Sequence, residues 1–203
     1  MFRRLPRRSL TLIDLKEMHK YFIRQHLCEG GVAVDFTMGN GNDTLFLSRT
    51  VGETGRVYAF DLQPEALTST EARLRENGAP ENYTLICASH HRVKEFVKEP
   101  INAGMFNLGY LPGSGKKAVT TMRKTTLPAV EAALELLAPD GVLIVAVYPG
   151  HEEGALEGEA LKEYFEGLSR FRICPTLVRI LNSPTSPYFF LLEKSERAKF
   201  GEI

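Results

Sequence analysis

Two carboxylates bracket a short glycine turn that reads Asp35-Phe36-Thr37-Met38-Gly39-Asn40-Gly41-Asn42-Asp43-Thr44. Gly39 and Gly41 open backbone angles closed to other residues and let a ligand approach the main chain. Asn42 or Asp43 can cap a following helix. A dinucleotide fingerprint wants a third glycine where Thr44 stands. It also wants a turn free of acids, because a pyrophosphate rests on the helix N-terminus there. Asp35 and Asp43 repel that group and suit a ligand carrying positive charge, such as the amino group and sulfonium of S-adenosylmethionine. Asp61 stands where a carboxylate accepts both hydroxyls of a ribose, or caps the helix that opens at Pro64. In this scheme Gln63 faces the adenosine, and Ser89 and His90 line the adenine. A bare strand-to-helix turn would explain the glycines alone; the added acids weigh against it.

A second cluster, Asn107-Leu108-Gly109-Tyr110-Leu111-Pro112-Gly113, follows the fourth expected strand. Asparagine, two residues and an aromatic resemble the acceptor motif of amino-group methyltransferases, with Leu108-Gly109 replacing the usual proline pair. The resemblance implies that the Asn107 oxygen accepts a hydrogen bond from an amine while Tyr110 stacks on a base. Spacing alone slightly favours a simple Gly/Pro loop. His151, after the fifth strand, is the other candidate proton acceptor, or a loop histidine.

Alternating β-rich and helical runs must position these groups. Leu15, Met18 and Phe22 mark an amphipathic helix ending near Gly30-Gly31. Strands are expected at Val32–Phe36, Val57–Phe60, Thr84–Cys87, Met105–Leu108 and Val142–Tyr148. The intervening helices open at Thr44 and at Pro64. A further helix carries Leu127, Val130, Leu134 and Leu137, with Pro128 near its start and Pro139-Asp140-Gly141 as its stop. Leu161, Tyr164, Phe165 and Leu168 mark the last helix. Leu177–Leu181 and Tyr188–Leu192 are joined by too few residues for a crossover helix, so they pair antiparallel. The fold expected is α/β and Rossmann-like: a seven-stranded, mostly parallel sheet with a C-terminal antiparallel hairpin. That ending distinguishes class I methyltransferases from dehydrogenases. Residues 1–31 form a basic arm and packing helix, 32–193 the cofactor-binding domain and 194–203 a tail.

The 203 residues suffice for one such domain. Lysine and arginine together number 25, as do aspartate and glutamate, so net charge excludes a molecule-wide attraction to nucleic acid. Local basic clusters remain: Arg3, Arg4, Arg7 and Arg8 at the start, Lys116-Lys117, and Arg123-Lys124. The latter two flank the expected active face, which makes Lys116, Lys117 and Arg123 the candidate RNA contacts. No run reaches membrane-spanning length. Cys28, Cys87 and Cys174 form no CxxC pair, which argues against a disulfide framework or a zinc site and for a reducing cytoplasm. They are read as small buried hydrophobes. No metal constellation is visible.

Taken together, the turn at Val34–Leu47, the segment Phe106–Gly113 and Tyr148-Pro149-Gly150-His151 resemble a bacterial family. Its members, long labelled rRNA methylases, act as tRNA 5-aminomethyl-2-thiouridine methyltransferases. The resemblance runs from about Val32 to Glu193. It implies S-adenosylmethionine-dependent methyl transfer to the exocyclic amine of a modified wobble uridine, giving 5-methylaminomethyl-2-thiouridine. It also implies the tRNA anticodon arm as partner and a homodimer; that no membrane is a partner is expected from the sequence, which has no spanning run. Asn107 would orient the amine and Tyr110 would stack on the uracil. Two alternatives stay open. One is a methyltransferase acting on rRNA or a small amine; the other is a nucleotide-binding oxidoreductase or silent binding module.

Overall fold

A computed structural model describes residues 14–108, 123–150 and 152–195. The first helix, α1 (Leu15–His26), starts because Asp14 accepts the Lys16 N–H at 2.9 Å. It buries His19 and Ile23, with Leu15, Met18 and Phe22 packed alongside. The chain then alternates through β1 (Val32–Asp35), α2 (Asn42–Val51), β2 (Arg56–Asp61), α3 (Pro64–Glu76) and β3 (Tyr83–Cys87). A 3-10 turn (His90–Arg92) and the short α4 (Val93–Phe96) lead to β4 (Ile101–Leu108). After α5 (Arg123–Leu136), β5 (Leu137–Val147) and α6 (Glu152–Glu166), the antiparallel pair β6 (Ile173–Val178) and β7 (Tyr188–Lys194) closes the sheet.

The seven strands lie in the order β3-β2-β1-β4-β5-β7-β6. β1 to β5 run parallel, and β7 enters antiparallel between β5 and β6. The strand order reverses at β1, between β2 and β4, where an open α/β sheet presents its crevice. Alternate side chains feed two cores. One face gathers Val34, Phe36, Phe60, Phe106 and Val145 under α5 and α6; the other gathers Ala33, Met105, Ile144 and Phe189 under α1 and α2. Phe36 and Phe106 stack with centroids 4.1 Å apart, which locks β1 to β4 just below the crevice.

The expected α/β architecture and its closing hairpin are present, and several boundaries move. The helix expected at Thr44 opens at Asn42. Pro128 lies inside α5, well past its first residue, and Leu137 belongs to β5. Pro139-Asp140-Gly141 is a bulge within β5, with Asp140 at φ +62°, because Leu137 pairs with Ile101 and Val142 already pairs with Ala103. β6 begins at Ile173 and carries Pro175, which an edge strand tolerates, whereas Leu181 sits 88% exposed in the hairpin connection. The three cysteines are exposed, not buried. Cys87 and Cys174 lie on β3 and β6, the two edge strands, and Cys28 follows the end of α1. No helix among the described residues is long and apolar enough to cross a membrane.

Candidate active site

The site grows from the end of β1. Beyond Asp35 the chain turns through Gly39 (φ +53°) and Gly41 (φ +74°) into α2. A Cβ on Gly41 would come within 2.9 Å of Thr70 on α3, so the turn passes only as glycine. Thr70 Oγ1 donates to the Gly39 carbonyl at 3.1 Å, and Arg73 Nε donates to that of Asn40 at 2.5 Å. α3 therefore clamps the turn from outside. Gly41 is the N-cap of α2 and no side chain caps it; Asn42 and Asp43 occupy the first turn instead of the expected cap position. Asn42 is exposed, and Asp43 is directed at the end of β4.

Asp61, at the end of β2, is oriented by two backbone donors. Gly39 N–H reaches its Oδ2 at 3.0 Å and Gln63 N–H its Oδ1 at 2.9 Å. Gln63 keeps a buried Oε1 with no hydrogen-bond partner. Such an orphan acceptor beside a fixed carboxylate fits a ligand donor completing the set.

Asp35 is fully buried. Its oxygens accept from Thr37 N at 3.1 Å and Thr44 Oγ1 at 2.7 Å. Burial, reinforced by the nearby Asp43 charge, pushes its pKa up to about 7. Asp43 is also raised, chiefly by burial, while Lys20, Lys16 and a hydrogen bond from Asn107 oppose the shift. Two carboxylates at the mouth of one turn thus share a deficit of positive charge.

Asn107 is tied on three sides. Its backbone N–H donates to Thr37 Oγ1 at 2.7 Å, and its Nδ2 donates to Asp43 Oδ2 at 2.6 Å. Its Oδ1 accepts from the Tyr148 hydroxyl at 3.3 Å. Because Asp43 takes the amide nitrogen, the carbonyl oxygen must point the other way. Burial raises the Tyr148 pKa, aided by the Asp43 charge, so that hydroxyl stays a donor.

Thr37, Gly39, Asn40, Gly41, Asp43, Thr44, Asp61, Gln63 and Asn107 thus converge on the crevice. Ser89 lies farther along, its Oγ 2.8 Å from His91 Nδ1. His90 is buried; its Nδ1–H donates to the Phe36 carbonyl at 3.2 Å and its ring edge meets Phe106. Burial lowers its pKa to about 4, so it is neutral. Tyr110, Lys116, Lys117 and His151 lie outside the described residues, as do the N-terminal arginines. Arg123 opens α5, and its side chain is likewise outside them. No cluster of potential metal ligands exists among the described residues.

The sequence alone assigns no role to Tyr148, Lys16 or Lys20. Tyr148 was legible in principle: it follows a strand whose Ala146 pairs with Asn107 in β4. The lysines were not, because the packing angle of α1 leaves no trace in local sequence.

The profile of a family described as "Putative rRNA methylase" matches residues 57–194. A chloroplastic tRNA (mnm(5)s(2)U34)-methyltransferase of Arabidopsis thaliana is 36% identical over 182 residues, 85% of this chain. The chain spans 66% of that protein's length. The crystal structure of a putative rRNA-methylase from Clostridium thermocellum superposes with a TM-score of 0.87 at 35% identity, over 91% of this chain and 100% of that one. A putative methyltransferase from Streptococcus mutans in complex with SAH gives 0.81 at 36% identity, over 90% and 99%.

Proposed function

The chain belongs to the family described as "Putative rRNA methylase", with the class I methyltransferase fold, and from that premise we propose its reaction. It transfers a methyl group from S-adenosylmethionine to the exocyclic amine of 5-aminomethyl-(2-thio)uridine at the tRNA wobble position. The S. mutans relative carries SAH, and the plant relative bears the matching activity in its name. In this chain the carboxylate-flanked turn carries the reading, because Asp35 and Asp43 favour a cationic ligand beside the pre-oriented Asp61.

The cofactor supplies an activated methyl group on a cationic sulfur. Asp61 would take the ribose hydroxyls, with the unpartnered Gln63 Oε1 beside it. The uncapped N–H groups at the start of α2 would meet a carboxylate. Asp35 acts at a distance: both oxygens are already bonded, so it sets charge and holds the turn. The acceptor amine attacks only when neutral, and desolvation next to a positive sulfur favours that form. Asn107 Oδ1, its direction fixed by Asp43, would accept an amine N–H and aim the lone pair at the methyl carbon. Methyl transfer leaves positive charge on the nitrogen, which the Asp43 carboxylate beyond Asn107 would stabilise. Tyr110 stacking on the uracil, His151 as proton acceptor, and Lys116, Lys117 and Arg123 on the RNA complete the proposal. So does a homodimer gripping the anticodon arm in the cytoplasm, for which sedimentation velocity with and without tRNA is the check.

The deciding measurement is mass spectrometry of tRNA nucleosides from cells lacking the protein. Accumulated 5-aminomethyl-2-thiouridine, converted by purified protein and S-adenosylmethionine, is the expected result. An unchanged nucleoside profile would overturn the substrate assignment.

A further inference from the structure

A cavity of about 780 Å³ opens beside Tyr148, whose hydroxyl donates to Asn107 Oδ1. The first turn of α1 walls it on one side, and the C-terminal end of β5 with the start of β7 on the other; Tyr188 pairs with Val147 there. It therefore lies beyond the carboxyl ends of the parallel strands, where open α/β sheets bind ligands. Ala146 forms part of its lining, level with Asn107 in the sheet. Tyr148, the donor to Asn107 Oδ1, lines it too, so cavity and site share a wall.

The remaining lining suits a planar, polar-edged ring. Tyr148 contributes aromatic surface and Leu15 apolar surface, whereas the Tyr188 ring turns to the opposite face of the sheet, against Phe190 and Gly158 of α6. His19 lies in the wall, its ring edge-on to Phe189 at 4.4 Å and its Nε2 buried without a hydrogen-bond partner. Burial lowers its pKa to about 4, so it offers a neutral imidazole. The charges at the mouth are unequal. Asp14 is engaged in capping α1, and Glu17 binds Lys20 at 2.6 Å. Lys16 is exposed and forms no ion pair among the described residues.

We propose that this cavity receives the acceptor nucleotide, its pyrimidine ring against Tyr148 and a phosphate at Lys16, making α1 a substrate-recognition element. Stacking on aromatic side chains and a cation on the backbone are how unpaired nucleotides are held. The inference deepens the substrate reading above and rests on it.

The test uses the whole protein and tRNA from cells lacking it. Wild-type turnover is measured first. Its absence would overturn the substrate reading. The cavity would then be judged from crystals of the SAH complex soaked with 5-aminomethyluridine: density in the cavity supports the assignment, and a vacant cavity or density elsewhere overturns it. With turnover present, Ala146→Leu fills the cavity beside Asn107, and Ser186→Tyr narrows it from a partly exposed lining position. Each is expected to raise KM for tRNA about tenfold while the SAH Kd stays within about twofold. Lys16→Ala is expected to reduce the slope of log affinity against log salt by about one. KM and salt slope unchanged in Ser186→Tyr and Lys16→Ala, with SAH binding intact, overturn the proposal even if Ala146→Leu fails to fold.

Discussion

Asn107 has its amide nitrogen committed to Asp43, and that commitment gives its oxygen a direction. Replacing it with alanine removes the acceptor proposed for the amine but leaves Asp61 and the glycine turn untouched. Asn107→Ala is therefore expected to lower kcat by about 100-fold with SAH affinity changed by less than about threefold. Equal losses in turnover and SAH binding would remove Asn107 from the acceptor role. Asp35 makes a prediction of opposite character. Its folded pKa of about 7 lies above the unfolded value, so ionising it opposes folding. That cost is fully present above pH 7 and is relieved as pH falls toward the unfolded value. Thermal stability of the ligand-free protein should accordingly gain an increment from Asp35 between pH 8 and pH 5.5, one that Asp35→Asn abolishes. An ammonium-bearing ligand stabilises the ionised form, so SAH affinity should rise with pH across the same window, with protons released on binding. Titration calorimetry in buffers of different ionisation enthalpy checks this; pH-independent affinity would refute it. Thr44 Oγ1 donates to the same carboxylate, so Thr44→Ala should cost about 1–3 kcal/mol, read from chemical denaturation.

Helix α1 shows how one element serves both fold and site. Asp14 caps it, Ile23 and His19 bury its inner face, and His26 ties its end to the Asp140 carbonyl at 2.7 Å and to Glu193 at 3.2 Å. Asp14→Ala should cost about 1 kcal/mol. Because the frayed turn is the cavity wall, KM for tRNA should rise more than stability falls; a change in stability alone would place that turn outside substrate contact. The periodicity of Leu15, Met18 and Phe22 made this helix legible, and the alternation of short strands with helices made the sheet legible. The β5 bulge was not, because Pro139-Asp140-Gly141 has the composition of a helix stop and only pairing with β4 makes it a strand irregularity. Likewise, the carboxylates and glycines of the turn were readable as types at fixed spacing. That Asp43 leaves the cap position for Asn107 depends on β1 and β4 being neighbours. The cysteines misled for a related reason: small apolar residues are usually interior, yet Cys87 and Cys174 fall on edge strands.

At the scale of the whole molecule, a formal charge of zero means that the proposed RNA affinity must come from placement, not total charge. Replacing Lys116 and Lys117 together should weaken tRNA binding and flatten its salt dependence by a slope of about two, measured by filter binding across a salt series. An unchanged slope would take that pair off the RNA. The bare N-terminus of α2 has a consequence at this scale as well. A pocket that meets ribose, ammonium and carboxylate, as proposed, would hold the parts that donor and by-product have in common, and only one methyl group and the charge it places on sulfur remain to tell them apart. The enzyme should therefore be strongly inhibited by its own waste. Its throughput in a cell would then follow how quickly the spent thioether is cleared.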